Sequence, residues 1–180
     1  FVTRAENLLI FGLPGVGKTH FAAAVGHQLV QAGHSVLFTP TFHLVDELLR
    51  AKRDLLLERE LRRLDTYEVL ILDDIGYVQQ SRDEMEVLFT LLAERYERRS
   101  VVITSNLVFS QWEQIFKDPM TTAAAINRVV HHSIIVEFGK EIPSHRAQQA
   151  AQRIQASNKK PPIRFFFGVW SAAGASPRRT

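Results

Sequence analysis

Gly12-Leu13-Pro14-Gly15-Val16-Gly17-Lys18-Thr19 stands between the apolar run Leu8-Leu9-Ile10-Phe11 and a helical stretch from Thr19 to Gln31. It fits G-x-x-x-x-G-K-[ST] in the setting that pattern requires, a strand before it and a helix after it. Glycines let the backbone curl until successive N–H groups point inward at phosphate oxygens, and the following helix adds the positive end of its dipole. Lys18 then reaches the outer phosphates of a nucleotide, and the Thr19 hydroxyl is placed to ligate Mg²⁺.

The rest of the chain repeats the strand-then-helix rhythm. Gly33 stops the first helix, and Val36-Leu37-Phe38 starts a second strand. Residues 42–64 carry Leu44, Val45, Leu48, Leu49, Leu55, Leu56 and Leu57 among charges, a helical region broken once. Val69-Leu70-Ile71-Leu72 closes on two aspartates, and a helix is expected from Asp83 to Arg98 with Val87, Leu88, Leu91 and Leu92 on one face. Val101-Val102-Ile103, helical stretches over 112–116 and 122–131, and the strand Ile134-Ile135-Val136 follow. Continuous apolar strands alternating with helices predict an α/β domain over residues 1–140, its parallel, five-stranded sheet covered on both faces. The phosphate-loop strand is placed centrally, beside the strand ending at Thr104. Residues 141–156 are expected to add a short helix, and 157–180 a basic, mobile tail.

Composition removes several alternatives. With no cysteine, a disulfide scaffold, a thiolate zinc site, an iron–sulfur cluster and a cysteine nucleophile are excluded. No apolar run approaches the roughly 18 residues of a membrane span, and no signal-peptide pattern opens the chain, so a cytoplasmic, membrane-free protein is expected. The start at Phe1 is expected to mark a piece of a longer chain. Residues 1–139 carry 14 Lys/Arg against 18 Asp/Glu, a net of −4, whereas 140–180 carry 8 against 1, a net of +7. The basic tail reads equally as a nucleic-acid contact or a solvated extension.

Asp73 and Asp74 are weak signals alone, because aspartates commonly open turns. Beside a phosphate loop, Asp73 is expected to hold the Mg²⁺ water shell and Asp74 to orient or deprotonate the attacking water. Thr104-Ser105-Asn106 ends another strand, and if that strand lies between the other two, Asn106 sits beside the outermost phosphate. Trp112, Phe109 and Phe116 read as core. His131 and His132 are adjacent rather than four apart, so no helix can turn both toward one metal, and a zinc site is not expected. Arg50, Lys52, Arg53, Arg59, Arg62 and Arg63 lie among Asp54, Glu58 and Glu60, either a solvated face laced with ion pairs or a ridge that tracks nucleic-acid phosphates.

Four runs carry a specific likeness: residues 7–21 (NLLIFGLPGVGKTHF), 70–77 (LILDDIGY), 94–106 (ERYERRSVVITSN) and 125–132 (AINRVVHH). They resemble the ATPase domain of the IstB-type transposition helper proteins of IS21-family insertion sequences, AAA+ ATPases close to the DnaC-type helicase loaders. The likeness covers about residues 1–155. It implies an ATP- and Mg²⁺-dependent ATPase that self-associates, binds DNA largely regardless of sequence, acts at the target site and recruits a transposase. By position, Gly12 to Thr19 with His20 match the Walker A segment, Asp73 the Walker B metal residue and Asn106 the sensor-1 residue. Asp74 takes the place often held by glutamate. Arg128 matches the arginine finger, which offers delocalised positive charge to a neighbouring subunit's nucleotide. Arg146, in Pro143-Ser144-His145-Arg146, resembles the sensor-2 arginine, although His145 stands where the family has tyrosine. Residues 42–64 correspond to the helical insertion such loaders use on DNA, which favours the phosphate-tracking reading of the basic ridge. Three rivals remain: a helicase loader, a nucleotide-dependent DNA scaffold with little hydrolysis, and a small-molecule kinase, for which no acceptor site stands out.

Overall fold

Side chains alternate along a strand, so an apolar run with no polar interruption needs cover on both faces. In the computed structural model, which describes residues 1–77, 81–107, 112 and 119–139, these runs form β1 (Asn7–Gly12), β2 (Val36–Pro40), β3 (Val69–Asp73), β4 (Ser100–Ser105) and β5 (Ser133–Phe138). All pair in parallel in the order β2-β3-β4-β1-β5. The sheet is the five-stranded one expected. β4 lies between β1 and β3, with Leu9 opposite Ile103 and Leu72 opposite Ile103 on its other side.

Leu9 and Phe11 of β1, Leu70 and Leu72 of β3, and Val101 and Ile103 of β4 face one side. There they meet α2 (Thr41–Arg53), α3 (Leu57–Asp65), α4 (Arg82–Arg95) and α5 (Pro119–Val130). Leu8, Ile10, Val69, Ile71 and Val102 face the other side, against Ala22 of α1 (Lys18–Gln31). Full burial of an aliphatic side chain contributes roughly 1.5–3 kcal/mol, so the apolar faces dominate the stability of both layers. α1 lies very close to the sheet: a Cβ on Gly26 would stand 2.7 Å from Ile71 Cδ1, so a larger residue there would displace that methyl group.

The expected break in residues 42–64 falls between α2 and α3, where Leu55 takes a positive φ of 59°. α4 opens on a capping box in which the Ser81 hydroxyl accepts from the Glu84 N–H and the Glu84 carboxylate accepts from the Ser81 N–H. It ends at Arg95 rather than at the expected Arg98. Arg95 turns into the core there, and Glu97 takes a φ of 56°, which no helix continues through. Trp112 is fully buried beside Phe11, its indole N–H donating to the Leu107 carbonyl at 3.2 Å, as a core residue should. Phe109, Phe116 and the expected features of residues 141–156 and 157–180 lie outside the described residues. Among the described residues no helix is long and apolar enough to cross a membrane.

Candidate functional site

Parallel pairing brings the carboxyl ends of β1, β3 and β4 to one edge of the sheet. The chain leaves β1 through a loop whose Gly15 and Gly17 take φ of 83° and 102°, in the region glycine tolerates and other residues avoid. Gly17 caps α1, so the N-terminus of that helix opens toward the loop's concave side. Lys18 is 8% exposed, and its ammonium donates to the carbonyls of Gly12 at 2.8 Å and Leu13 at 3.0 Å. The loop thus pre-forms around its own lysine, ready for an anion.

A cleft of about 500 Å³ covers these strand ends. Its lining joins Pro14 to Thr19 and His20 with Asp73, Asp74 and Asn106, residues the sequence reading selected from three separate places. The Thr104 hydroxyl organises the acids: it donates to Asp73 Oδ1 at 2.6 Å and accepts the Asp74 backbone N–H at 2.8 Å. The Thr41 hydroxyl holds the Asp73 carbonyl at 2.9 Å. Asp74 sits at φ 61°, a conformation that aspartate adopts more readily than most residues. Asn106 Oδ1 is buried with no hydrogen-bond partner among the described residues, and any side chain at Gly76 would collide with it. An amide left in this condition beside a phosphate loop fits a bound water or nucleotide. The Thr19 hydroxyl and the Asp73 carboxylate supply the oxygen donors that Mg²⁺ demands.

The organising role of Thr104 was not legible beforehand. A hydroxyl residue ending the strand beside the Asp-Asp strand was the signal available, and only the sheet order gives it meaning.

Arg128 lies elsewhere. Its guanidinium stands 4.6 Å from the centroid of the Phe89 ring, packing α5 on α4, and its Nη1 is buried without a hydrogen-bond partner among the described residues. It does not line the cleft of its own chain. Arg146 is outside the described residues. The basic ridge divides. Lys52 pairs with Asp83 and Glu86, both at 3.0 Å, and these hydrogen bonds, Asp83 first, raise its pKa. Arg62 pairs with Glu58, and Arg63 with Glu60 and Glu47. Arg50, Arg53 and Arg59 have no ion pair among the described residues; Arg50 and Arg53 line a groove of about 540 Å³ along α2. The ion-pair reading therefore describes half of the ridge, and three arginines remain available to phosphates.

The expectation against a metal at His131 and His132 rested on their sharing a helix, and that premise fails. α5 ends at Val130, and both histidines occupy the turn before β5, where two successive side chains can converge.

The family of IstB-like ATP binding proteins matches residues 1–153 of this chain. The chain belongs to that family. An insertion sequence ATP-binding protein of Sinorhizobium fredii, so named by assignment, is 45% identical over 85% of this chain and 51% of its own length. One assigned to insertion sequence IS21 of Pseudomonas aeruginosa is 45% identical over 78% of this chain and 53% of its own. The chain spans about half the length of the curated relatives it matches. The crystal structure of the DnaC helicase loader superposes with a TM-score of 0.67 at 21% identity, over 77% of this chain and 81% of that one. That likeness concerns the fold, which is the AAA+ type of phosphate-loop domain. The phosphate loop and the acid pair lie within the residues matched to the IstB-like family.

Proposed function

We propose that this IstB-like chain is the ATPase of a transposition system, binding ATP with Mg²⁺ in the phosphate-loop cleft and hydrolysing it while associated with DNA. The observation that carries the reading is the convergence of Lys18, Asp73, Asp74 and Asn106 on one cleft from three strand ends. Lys18 exchanges its two carbonyl partners for phosphate oxygens. Thr19 and Asp73 hold Mg²⁺, which when bound neutralises charge on the outer phosphates. Asp74 takes the proton of the attacking water, and Asn106 positions that water through its unpartnered amide oxygen. His20 borders the nucleotide, and Arg146 acts as its sensor.

Arg128 completes the site of a neighbouring copy. It does not line its own cleft, which supports action in trans, and a head-to-tail interface repeats into rings or open filaments. Arg50, Arg53 and Arg59 contact DNA phosphates first, with Lys52, Arg62 and Arg63 joining as they exchange carboxylates for DNA. Such contacts act on any sequence and weaken with salt. The names of the relatives favour a transposase, rather than a helicase, as the protein partner. Target-site regulation and a cytoplasmic, DNA-associated location belong to the same reading.

A mixing experiment tests it. Lys18→Ala and Arg128→Ala are each expected to lack ATPase activity. Their mixture recovers part of it, since a Lys18→Ala copy still offers Arg128 to a neighbour with an intact loop. A dead mixture of co-assembled copies, or full activity of Arg128→Ala alone, contradicts the shared site. Tight ATP binding without turnover in the unmodified chain supports the scaffold alternative instead.

A further inference from the structure

At the sheet edge opposite the phosphate cleft, the turn leading into β5 and the turn leading into β4 bring three ligand-bearing side chains together. Glu97 Oε1 lies 3.6 Å from His132 Nε2 and 3.9 Å from His131 Nδ1. All three ligand atoms fall within 4.8 Å of one another. We propose that Glu97, His131 and His132 form a binding site for a divalent transition-metal ion of the zinc type, with water completing the coordination.

The two separations from Glu97 suit the chemistry. A tetrahedral ion bonded at about 2.0–2.2 Å keeps its ligands roughly 3.3–3.6 Å apart. The Glu97–His132 pair is already at that spacing, and the Glu97–His131 pair needs a shift of a few tenths of an ångström. Backbone bonds hold both turns in place. The Asn7 N–H of β1 donates to the His132 carbonyl at 2.7 Å, and the Arg98 and Arg99 N–H groups donate to the Arg95 carbonyl at 3.0 Å. The three side chains are each about half exposed, at 51–55%, so an ion can enter without unfolding anything. Two imidazoles and one carboxylate select zinc-like ions over Mg²⁺, which prefers oxygen alone. The site therefore does not compete for the ion expected at the phosphate loop.

Tyr96 occupies part of this site now. Its hydroxyl is 2.9 Å from His131 Nδ1. On metal binding, His131 Nδ1 exchanges the Tyr96 hydroxyl for the ion. The bound ion joins the segment after α4 to the turn after α5, the helix that carries Arg128.

The test is a titration of the nucleotide-free chain with Zn²⁺ in excess Mg²⁺, followed calorimetrically and repeated with Co²⁺ for its visible absorption. One ion per chain is expected. Glu97→Gln and His132→Asn should each weaken binding by at least the roughly 10–100-fold that loss of an outer-shell partner causes. Both residues are exposed, and thermal midpoints measured without metal check that each variant folds. Tyr96→Phe separates a metal site from a mere hydrogen-bonded cluster, because it frees His131 and should leave Zn²⁺ binding as tight or tighter. His34→Asn, which alters another histidine–carboxylate pair, should change nothing. Absence of Zn²⁺ binding, binding unaffected by both ligand variants, or its loss in Tyr96→Phe overturns the proposal.

Discussion

At the carboxyl ends of β1, β3 and β4, polar side chains reach into a cleft of about 500 Å³ and the Asn106 amide oxygen is left unpartnered. At the amino ends two buried side chains, Asn7 and Arg95, are spent on the protein's own backbone. Asn7, 8% exposed, donates from Nδ2 to the Val129 carbonyl at 3.0 Å and accepts the Val101 N–H at 2.9 Å. Arg95, 1% exposed, donates to the carbonyls of Leu64, Tyr67, Glu68 and Ser100. Burial pushes its guanidinium down to about 10, with Asp65 opposing, so it stays charged at neutral pH. One sheet thus carries two kinds of polar chemistry. Groups aimed at a cleft are held ready for a ligand; groups aimed at loop carbonyls hold the chain together.

Breaking each end separately should give opposite phenotypes. Arg95→Met keeps most of the side chain's bulk but strands four carbonyls, and removing one partner of a buried charged network costs about 3–5 kcal/mol. Urea unfolding should show a loss of that order, with ATP affinity of the folded protein unchanged. Lys18→Ala should do the reverse. Losing a charge-assisted contact of about 1.5–3 kcal/mol weakens ATP binding by roughly 10–150-fold, while the unfolding midpoint moves little. Asn7→Ala, removing both of its backbone bonds, should cost about 2–3 kcal/mol of stability and leave nucleotide affinity alone.

Thr104→Val sharpens the comparison at the cleft. It preserves shape but removes the hydroxyl bonded to both Asp73 and Asp74. ATP turnover should fall by about tenfold, the effect of roughly 1.4 kcal/mol, with a smaller loss of affinity. Ser81→Ala, at the cap of α4, is the mildest change, costing about 1 kcal/mol of stability with no effect on turnover.

The two ends also differ in how far the sequence discloses them. The phosphate loop is contiguous from Gly12 to Thr19, Asp73 and Asp74 follow the apolar run Val69 to Leu72, and Asn106 follows Val101 to Ile103 after Thr104 and Ser105, so strand order alone brings them together. Arg95 looks like any arginine near a helix end, next to Arg98 and Arg99. Its partners lie at the end of α3, in the α3–β3 connection and at the start of β4, and no local pattern marks them. The same holds for Glu97 and the two histidines, whose meeting depends on where α5 stops. Fold class, strand number and the single break within residues 42–64 were readable because periodicity and burial are local signals. The end of α4 was not, because Arg95 leaves the helix for contacts made across the fold.

Backbone hydrogen exchange, measured with and without Mg²⁺ and a non-hydrolysable ATP analogue at concentrations where the chain is monomeric, tests the division between the two ends most directly. Nucleotide should slow exchange at residues 12–20, 73–76 and 104–106 and leave residues 96–101 and 131–134 unchanged. Equal slowing at both ends, or no slowing at residues 12–20, would contradict it.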